Sequence, residues 1–171
     1  MRFELAKWET SLIPSLAENA NDARIGRFLN TGFPYPYTAE AAKKFVSAAL
    51  NSPQDIHRAI VAGGGAVGCV SLCRGKGVLC RSAELGYWLA PAYWNRGIMT
   101  EAVGRMCAAA FAETDIVRIQ AQVFAPNTAS QKVLEKNGFA REAVLRRAVY
   151  KDGAFFDMFV YALLKTEEQA D

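Results

Sequence analysis

The sequence is poor in the features that announce specialised chemistry. It holds a single histidine, His57, in 171 residues, and only four cysteines, Cys69, Cys73, Cys80 and Cys107. The cysteine spacings match neither a zinc knuckle nor a redox pair. Each cysteine lies among apolar neighbours in a predicted strand or helix, so buried thiols and no metal site are expected. His57 precedes a predicted strand without an identifiable acid partner and reads as a surface residue. No apolar run reaches the length that crosses a bilayer, and the charged opening Met1-Arg2-Phe3-Glu4 lacks the apolar core of a signal peptide, so the expectation is a cytoplasmic protein with no membrane partner. Twenty Lys and Arg against seventeen Asp and Glu leave a net charge of +3. The basic residues form no run, which argues against a nucleic-acid partner. Repeats, low-complexity tracts and Pro/Ser-rich linkers are also missing. Residues 1–171 are therefore expected to form a single domain.

The residues present have a globular balance, 51% apolar and 22% charged, ordered into alternating patterns. Phe3 to Trp8 reads as a strand, and Thr10 or Ser11 offers a cap for a short helix over Leu12 to Glu18. The stretch Gly32-Phe33-Pro34-Tyr35-Pro36-Tyr37 is excluded from helix by its prolines. Thr38 then caps an amphipathic helix whose apolar positions are Ala41, Ala42, Phe45, Ala48 and Ala49. Strands come next over Ala59 to Ala62, Ala66 to Cys73 and Ala83 to Leu89, the pattern of an antiparallel meander. A helix from about Gly97 to Phe111 and a strand from Val117 to Phe124 complete a βαβ unit, which predicts one parallel strand pair. Pro126 and Asn127 open a last helix that Asn137-Gly138 ends. Two final strands, Phe139 to Tyr150 and Phe155 to Leu163, meet at the hairpin turn Asp152-Gly153.

Gly63-Gly64-Gly65-Ala66-Val67-Gly68 satisfies the letter of a dinucleotide-binding glycine pattern, with Glu84 near the distance of a ribose-binding acid. That pattern works only when its last glycines open a helix whose amides face the pyrophosphate. Cys69-Val70-Ser71-Leu72-Cys73 alternates as a strand instead, so a glycine hairpin turn is expected here and the dinucleotide enzyme is the weaker alternative.

Trp94-Asn95-Arg96-Gly97-Ile98-Met99-Thr100-Glu101 comes directly after the strand Glu84 to Leu89. A helix start carries partial positive charge and backbone N–H groups in need of acceptors, and Gly97 lets the chain approach a phosphate closely while Ile98 and Met99 face the core. An anion site and a plain helix start are both open on this turn alone. Three ordered pieces resemble the GNAT superfamily of N-acetyltransferases, in its RimJ/RimL-like branch. They are Glu84-Leu85-Gly86-Tyr87, Arg96 to Ala102, and Asn127 to Phe139. With Phe33 to Thr38 the likeness covers nearly the whole chain. It departs at Trp94, where the family usually has Gln or Arg, and at Met99, where Gly or Ala is usual.

The resemblance implies an α+β fold of α/β/α layers, with a mixed, mostly antiparallel sheet whose parallel pair splays to admit the pantetheine arm of acetyl-CoA. It implies an acetyltransferase acting on a primary amine, either a protein N-terminus or a small molecule, by direct transfer in a ternary complex. A non-catalytic acyl-CoA-binding module is the alternative. Cofactor contacts are implied for Leu89, Arg96, Gly97, Ile98, Met99, Thr100, Asn127 and Ser130, and an acceptor wall for Tyr35, Tyr37 and Trp94. Ser130 is the candidate acid for the leaving thiolate, with N-terminal capping as its other role. Glu84 is the candidate base, with Asp157 as a rival that could instead pair with Arg146 or Arg147. Cys107 lies among small apolar residues, unlike a nucleophile. The chain is expected as a monomer or homodimer.

Overall fold

The computed structural model describes residues 2–166. Seven strands, β1 (Glu4–Ala6), β2 (Ile56–Ala62), β3 (Gly65–Arg74), β4 (Ser82–Leu89), β5 (Arg118–Phe124), β6 (Ala140–Lys151) and β7 (Ala154–Leu164), form one sheet in the order β1-β2-β3-β4-β5-β7-β6. Five α-helices accompany them: α1 (Ile13–Ala20), α2 (Ala23–Gly26), α3 (Ala39–Leu50), α4 (Ile98–Glu113) and α5 (Thr128–Lys136). The strands β4 and β5 pair in parallel across the α4 connection, as the βαβ pattern predicts. The pairs β1/β2, β2/β3, β5/β7 and β6/β7 are antiparallel. No helix among the described residues is long and apolar enough to cross a membrane. By internal packing the chain divides into two compact units. One holds the chain up to Cys73 with Gly86–Ala102, and the other holds Arg74–Leu85 with the chain from Val103 onward.

In the first unit, Gly63 (φ 61°) and Gly64 (φ 84°) turn β2 into β3. Two consecutive left-handed residues are what a two-residue hairpin turn demands, and the chain enters β3 at Gly65 with no helix. The glycine run is therefore a hairpin turn, as its β-patterned sequel indicates. Trp8, Leu16, Val46, Tyr37, Ala59 and Cys69 form the core of this unit, with Phe45 and Trp88 packed against it. The Trp8 and Phe45 rings meet edge to face at 5.2 Å. Helix α1 is latched to β3 by two bonds: the Ala66 amide donates to Ser15 Oγ at 2.9 Å, and Asn19 Nδ2 donates to the Ala66 carbonyl at 3.1 Å. Thr38 caps α3 as expected, its Oγ1 accepting from the Ala41 amide. The start of α1 differs. A 3-10 turn over Thr10–Leu12 precedes it, and Pro14 in its first turn, with φ already fixed near helical values, serves where a Thr10 or Ser11 cap was expected.

The structure corrects two expectations about reactive side chains. Cys69 and Cys107 are buried, but Cys73 and Cys80 are exposed. Cys73 stands near the outer end of β3, beyond the core, and Cys80 comes after a 3-10 turn over Gly77–Leu79 instead of sitting in a strand. His57 lies inside β2, half-buried, with Nδ1 2.9 Å from Ser71 Oγ and Nε2 3.9 Å from Asp55 Oδ2. It is thus neither a surface residue nor without an acid. Burial pushes its pKa below the usual value, against the opposing pull of Asp55.

In the second unit the parallel ladder consists of Ser82↔Arg118, Ala83↔Ile119 and Glu84↔Gln120. On its other side β5 pairs with β7 along its whole length, from Arg118↔Leu164 to Phe124↔Met158. Gly138 (φ 80°) ends α5 and Asp152-Gly153 (φ 51° and 78°) turns β6 into β7, both where the sequence places them. Asp157 accepts a hydrogen bond from the backbone amide of Arg147 at 2.7 Å, at a bulge where Arg147 takes φ 52°. The expected partner residue is right, but the contact is to its main chain. The Arg147 guanidinium lies 4.6 Å from the Phe155 ring centre.

Gly68 is fixed by space. A Cβ there would stand 2.6 Å from the Trp88 carbonyl oxygen and 2.9 Å from Leu89 Cδ1. Gly68→Ala should destabilise the protein by about 1–3 kcal/mol through overpacking. Thermal unfolding should register this as a midpoint lowered by several degrees, and an unchanged midpoint would contradict the close approach.

Candidate functional site

The turn into α4 is built by residue types that tolerate unusual backbone angles. After β4 ends at Leu89, Pro91–Tyr93 makes a 3-10 turn and Trp94 is extended. Asn95 then takes φ 58° and Gly97 φ 74°. Glycine has no Cβ to clash in this region, and asparagine is among the few other residues found there routinely. Alternation of this kind makes backbone N–H groups converge into concavities that accept anions. Intrahelical bonding begins with the Glu101 amide donating to the Gly97 carbonyl at 3.1 Å. Ile98 and Met99 are buried, as expected, which roots the first turn in the core and directs their amides to the helix end, where positive potential accumulates. A Cβ placed on Gly97 would meet nothing within 4 Å, and the same holds for Gly86. Packing relief therefore does not explain either glycine.

Trp94 has a defined role. Its indole Nε1 donates to the Leu89 carbonyl at 2.7 Å, tying the turn to the end of β4. The Arg24 guanidinium lies 5.8 Å from the Trp94 ring centre, and the Arg96 guanidinium 5.9 Å from that of Tyr93. Leu89 itself is buried, while Arg96 is exposed and Thr100 half-buried. Among the predicted acceptor-wall residues, Tyr35 is 63% and Trp94 40% exposed, whereas Tyr37 is 6% exposed. The Tyr37 ring belongs to the core cluster, 5.0 Å from Phe33, because the proline-flanked loop folds back onto the helices and its amide is held by Asn21 Oδ1 at 2.9 Å. Burial raises its phenol to about 12, with Cys69 adding to the effect. Of the two loop tyrosines, Tyr35 is the one open to solvent.

The remaining candidates lie in the other unit. Asn127 caps α5, its Oδ1 accepting from the Ser130 amide at 3.2 Å, and Ser130 is half-buried on the first turn. Capping therefore belongs to Asn127. Gln131 Nε2 bonds the Ala125 carbonyl at 2.7 Å, and the Tyr161 hydroxyl donates to Glu135 at 3.1 Å, so α5 is held at both ends. Glu84 closes the parallel ladder on the exposed side of β4, while Ala83 and Leu85 face inward. Cys107 is buried, and desolvation pushes its thiol up to about 12, which removes it as a nucleophile. Asn95 was missed among the site residues. The signal for it was present in the Asn-x-Gly spacing, two residue types suited to left-handed geometry.

Comparison with known proteins bears on the family and the fold. The chain is 38% identical over 88 residues to an uncharacterized N-acetyltransferase, YoaA, of Bacillus subtilis, covering 52% of this chain and 50% of that protein. It is 34% identical over 91 residues to a putative ribosomal N-acetyltransferase, YdaF, of the same organism, covering 53% and 50%. The chain spans about half the length of these curated relatives. Among solved structures, RimL, a ribosomal L7/L12 alpha-N-protein acetyltransferase in complex with coenzyme A, superposes with a TM-score of 0.87 at 24% identity, over 99% of this chain and 96% of that one, and so shares the fold. The family described as acetyltransferase (GNAT) domain matches residues 2–140, and the chain belongs to it.

Proposed function

We propose that the protein transfers the acetyl group of acetyl-CoA to a primary amine, with the pyrophosphate held by the backbone at the start of α4. The observation that carries this reading is the open, left-handed turn at Asn95 and Gly97 above a buried Ile98-Met99 anchor, in a chain of the acetyltransferase family. The turn fits a phosphate on its own geometry: space at Gly97, amides at a helix start, and the exposed guanidinium of Arg96 nearby. Gly86, exposed on β4 with open space where a side chain would stand, leaves room for an extended group to lie against the strand. We propose that the whole chain acts as a single domain, as a monomer or homodimer.

The chemistry is direct transfer. The amine nitrogen attacks the thioester carbonyl carbon, the C–S bond breaks, and the departing sulfur takes a proton. In this reading the Ser130 hydroxyl supplies that proton and recovers one from solvent, while the helix start is capped by Asn127 Oδ1, which accepts from the Ser130 amide. Glu84, exposed to water, draws the amine's proton through a bridging water molecule. The high pKa of the buried Cys107 thiol favours this route over a covalent acyl-enzyme. For the acceptor we favour a protein N-terminal α-amine, because the name of the YdaF relative assigns that protein a ribosomal role, with a small-molecule amine as the other class.

Acetyl-CoA should raise the thermal midpoint while NAD leaves it unchanged; the opposite pattern would overturn the reading. Mass-tagged acetyl-CoA offered with peptides bearing free N-termini and with small amines should yield an acetylated product. Binding without any product would favour the acyl-CoA-binding module.

Two substitutions divide the roles. Ser130→Ala should lower kcat by about a hundredfold, the scale of general acid catalysis, and leave the acetyl-CoA Kd nearly unchanged. An unaltered kcat would remove Ser130 as the acid. Gly97→Ala, which forces a side chain into left-handed geometry at a cost of about 1–2 kcal/mol and points a methyl group into the open cradle, should weaken acetyl-CoA binding by about tenfold. Unchanged affinity would place the phosphates elsewhere.

A further inference from the structure

Asp55, His57 and Cys73 bring three chemically different donors together at the end of the β2–β3 hairpin opposite its glycine turn. One carboxylate oxygen, one imidazole nitrogen and one thiol sulfur all lie within 4.8 Å of one another. The strand register explains why. Ile56 pairs with Leu72 and His57 with Ser71, so one step further out Asp55 faces Cys73. Residues two apart on a strand share a face, which puts Asp55 and His57 on the same side as Ser71 and Cys73. The meeting of the donors is thus set by the sheet.

We propose that this cluster is a binding site for a divalent metal ion of the zinc class, ligated by the Asp55 carboxylate, His57 Nε2 and Cys73 Sγ. Thiolate and imidazole together suit zinc, and a carboxylate supplies a third donor of a type zinc accepts, with one tetrahedral position left for water or an outside ligand. Zinc–ligand bonds of about 2.0–2.3 Å separate tetrahedral donors by roughly 3.3–3.8 Å. The His57 Nε2–Asp55 Oδ2 distance is 3.9 Å, already close to that spacing.

The second nitrogen supports the assignment. Nδ1 lies 2.9 Å from Ser71 Oγ, which in turn lies 3.2 Å from Cys69 Sγ. When Nδ1–H donates to Ser71 Oγ, the Ser71 hydroxyl donates onward to Cys69 and Nε2, 3.9 Å from Asp55 Oδ2, keeps its lone pair for a metal. Metal-bound histidines are oriented in this way by a bond from their other nitrogen. Nothing in the proposed acetyl transfer uses these residues, so the site stands or falls separately from that reading.

Cobalt(II) is the probe, because a thiolate ligand gives it a near-ultraviolet charge-transfer band and tetrahedral geometry gives it intense visible bands. The protein freed of metal by chelator dialysis should show both, saturating at one cobalt per chain and displaced by one zinc. Cys73→Ser should abolish the charge-transfer band. His57→Gln and Asp55→Asn should each weaken zinc binding by about tenfold or more, and Cys80→Ser, which removes the other exposed thiol, should change nothing. Far-ultraviolet circular dichroism identifies any variant that fails to fold, and the wild-type stoichiometry then decides alone. Absence of the charge-transfer band in wild type, or its survival in Cys73→Ser, would overturn the proposal.

Discussion

The first turn of α4 depends on two backbone angles that ordinary side chains avoid. Asn95 at φ 58° and Gly97 at φ 74° let the chain reverse from the end of β4 into a helix while sending Ile98 and Met99 into the core. For a residue with a Cβ the left-handed region costs about 1–2 kcal/mol; glycine removes that cost and asparagine reduces it. Burying a side chain such as Ile98 or Met99 returns about 1.5–3 kcal/mol each. The helix start is therefore stable in a conformation that leaves its outer surface to backbone. Trp94 completes the arrangement by closing the Leu89 carbonyl with its indole N–H, so the residue that departs from the family's usual side chain supports the turn from the strand side.

Glycine chemistry separates two segments that look alike on paper. Gly63 and Gly64 are also left-handed, but the chain after them alternates as a strand and lies in a hairpin. After Gly97 the apolar residues recur at helical spacing instead, through Met99, Ala102, Val103 and Met106, all buried. Amides gather at a helix start only in the second case. The period of the apolar residues, and not the number of glycines, decides which glycine turn can receive an anion.

That same periodicity accounts for how much was legible in the sequence. The strands, the Thr38 cap, the parallel pair across α4, the Asn137-Gly138 stop and the Asp152-Gly153 hairpin were all readable, because each arises from local pattern or turn chemistry. At the candidate site the helix start after Gly97 was readable on the same ground, while its use as an anion site came only from the resemblance. The misses have a different origin. Tyr37 belongs to the core because the loop folds back, and neither its prolines nor its aromatics reveal the direction of that fold. Cys73 is exposed because β3 outruns the core, which apolar neighbours cannot reveal. His57 gains Asp55 two residues before it and Ser71 across the strand pair, and the latter depends on register.

Register also separates the two sites proposed in the first unit. The Val67 carbonyl accepts from the Ala90 amide at 2.8 Å, so the glycine-turn end of β3 lies beside the end of β4, close to where the chain turns towards α4. Cys73 is six residues further along β3, about 20 Å away at strand rise. A metal held by Asp55, His57 and Cys73 is too distant to touch a phosphate at Gly97, and could influence it only through the strand between them. Gly68 lies on that strand against the Trp88 carbonyl, where close packing leaves little room for movement. Metal binding would accordingly stiffen the open end of the hairpin and leave the acetyl-CoA affinity unchanged, which makes the two sites separable in the same molecule.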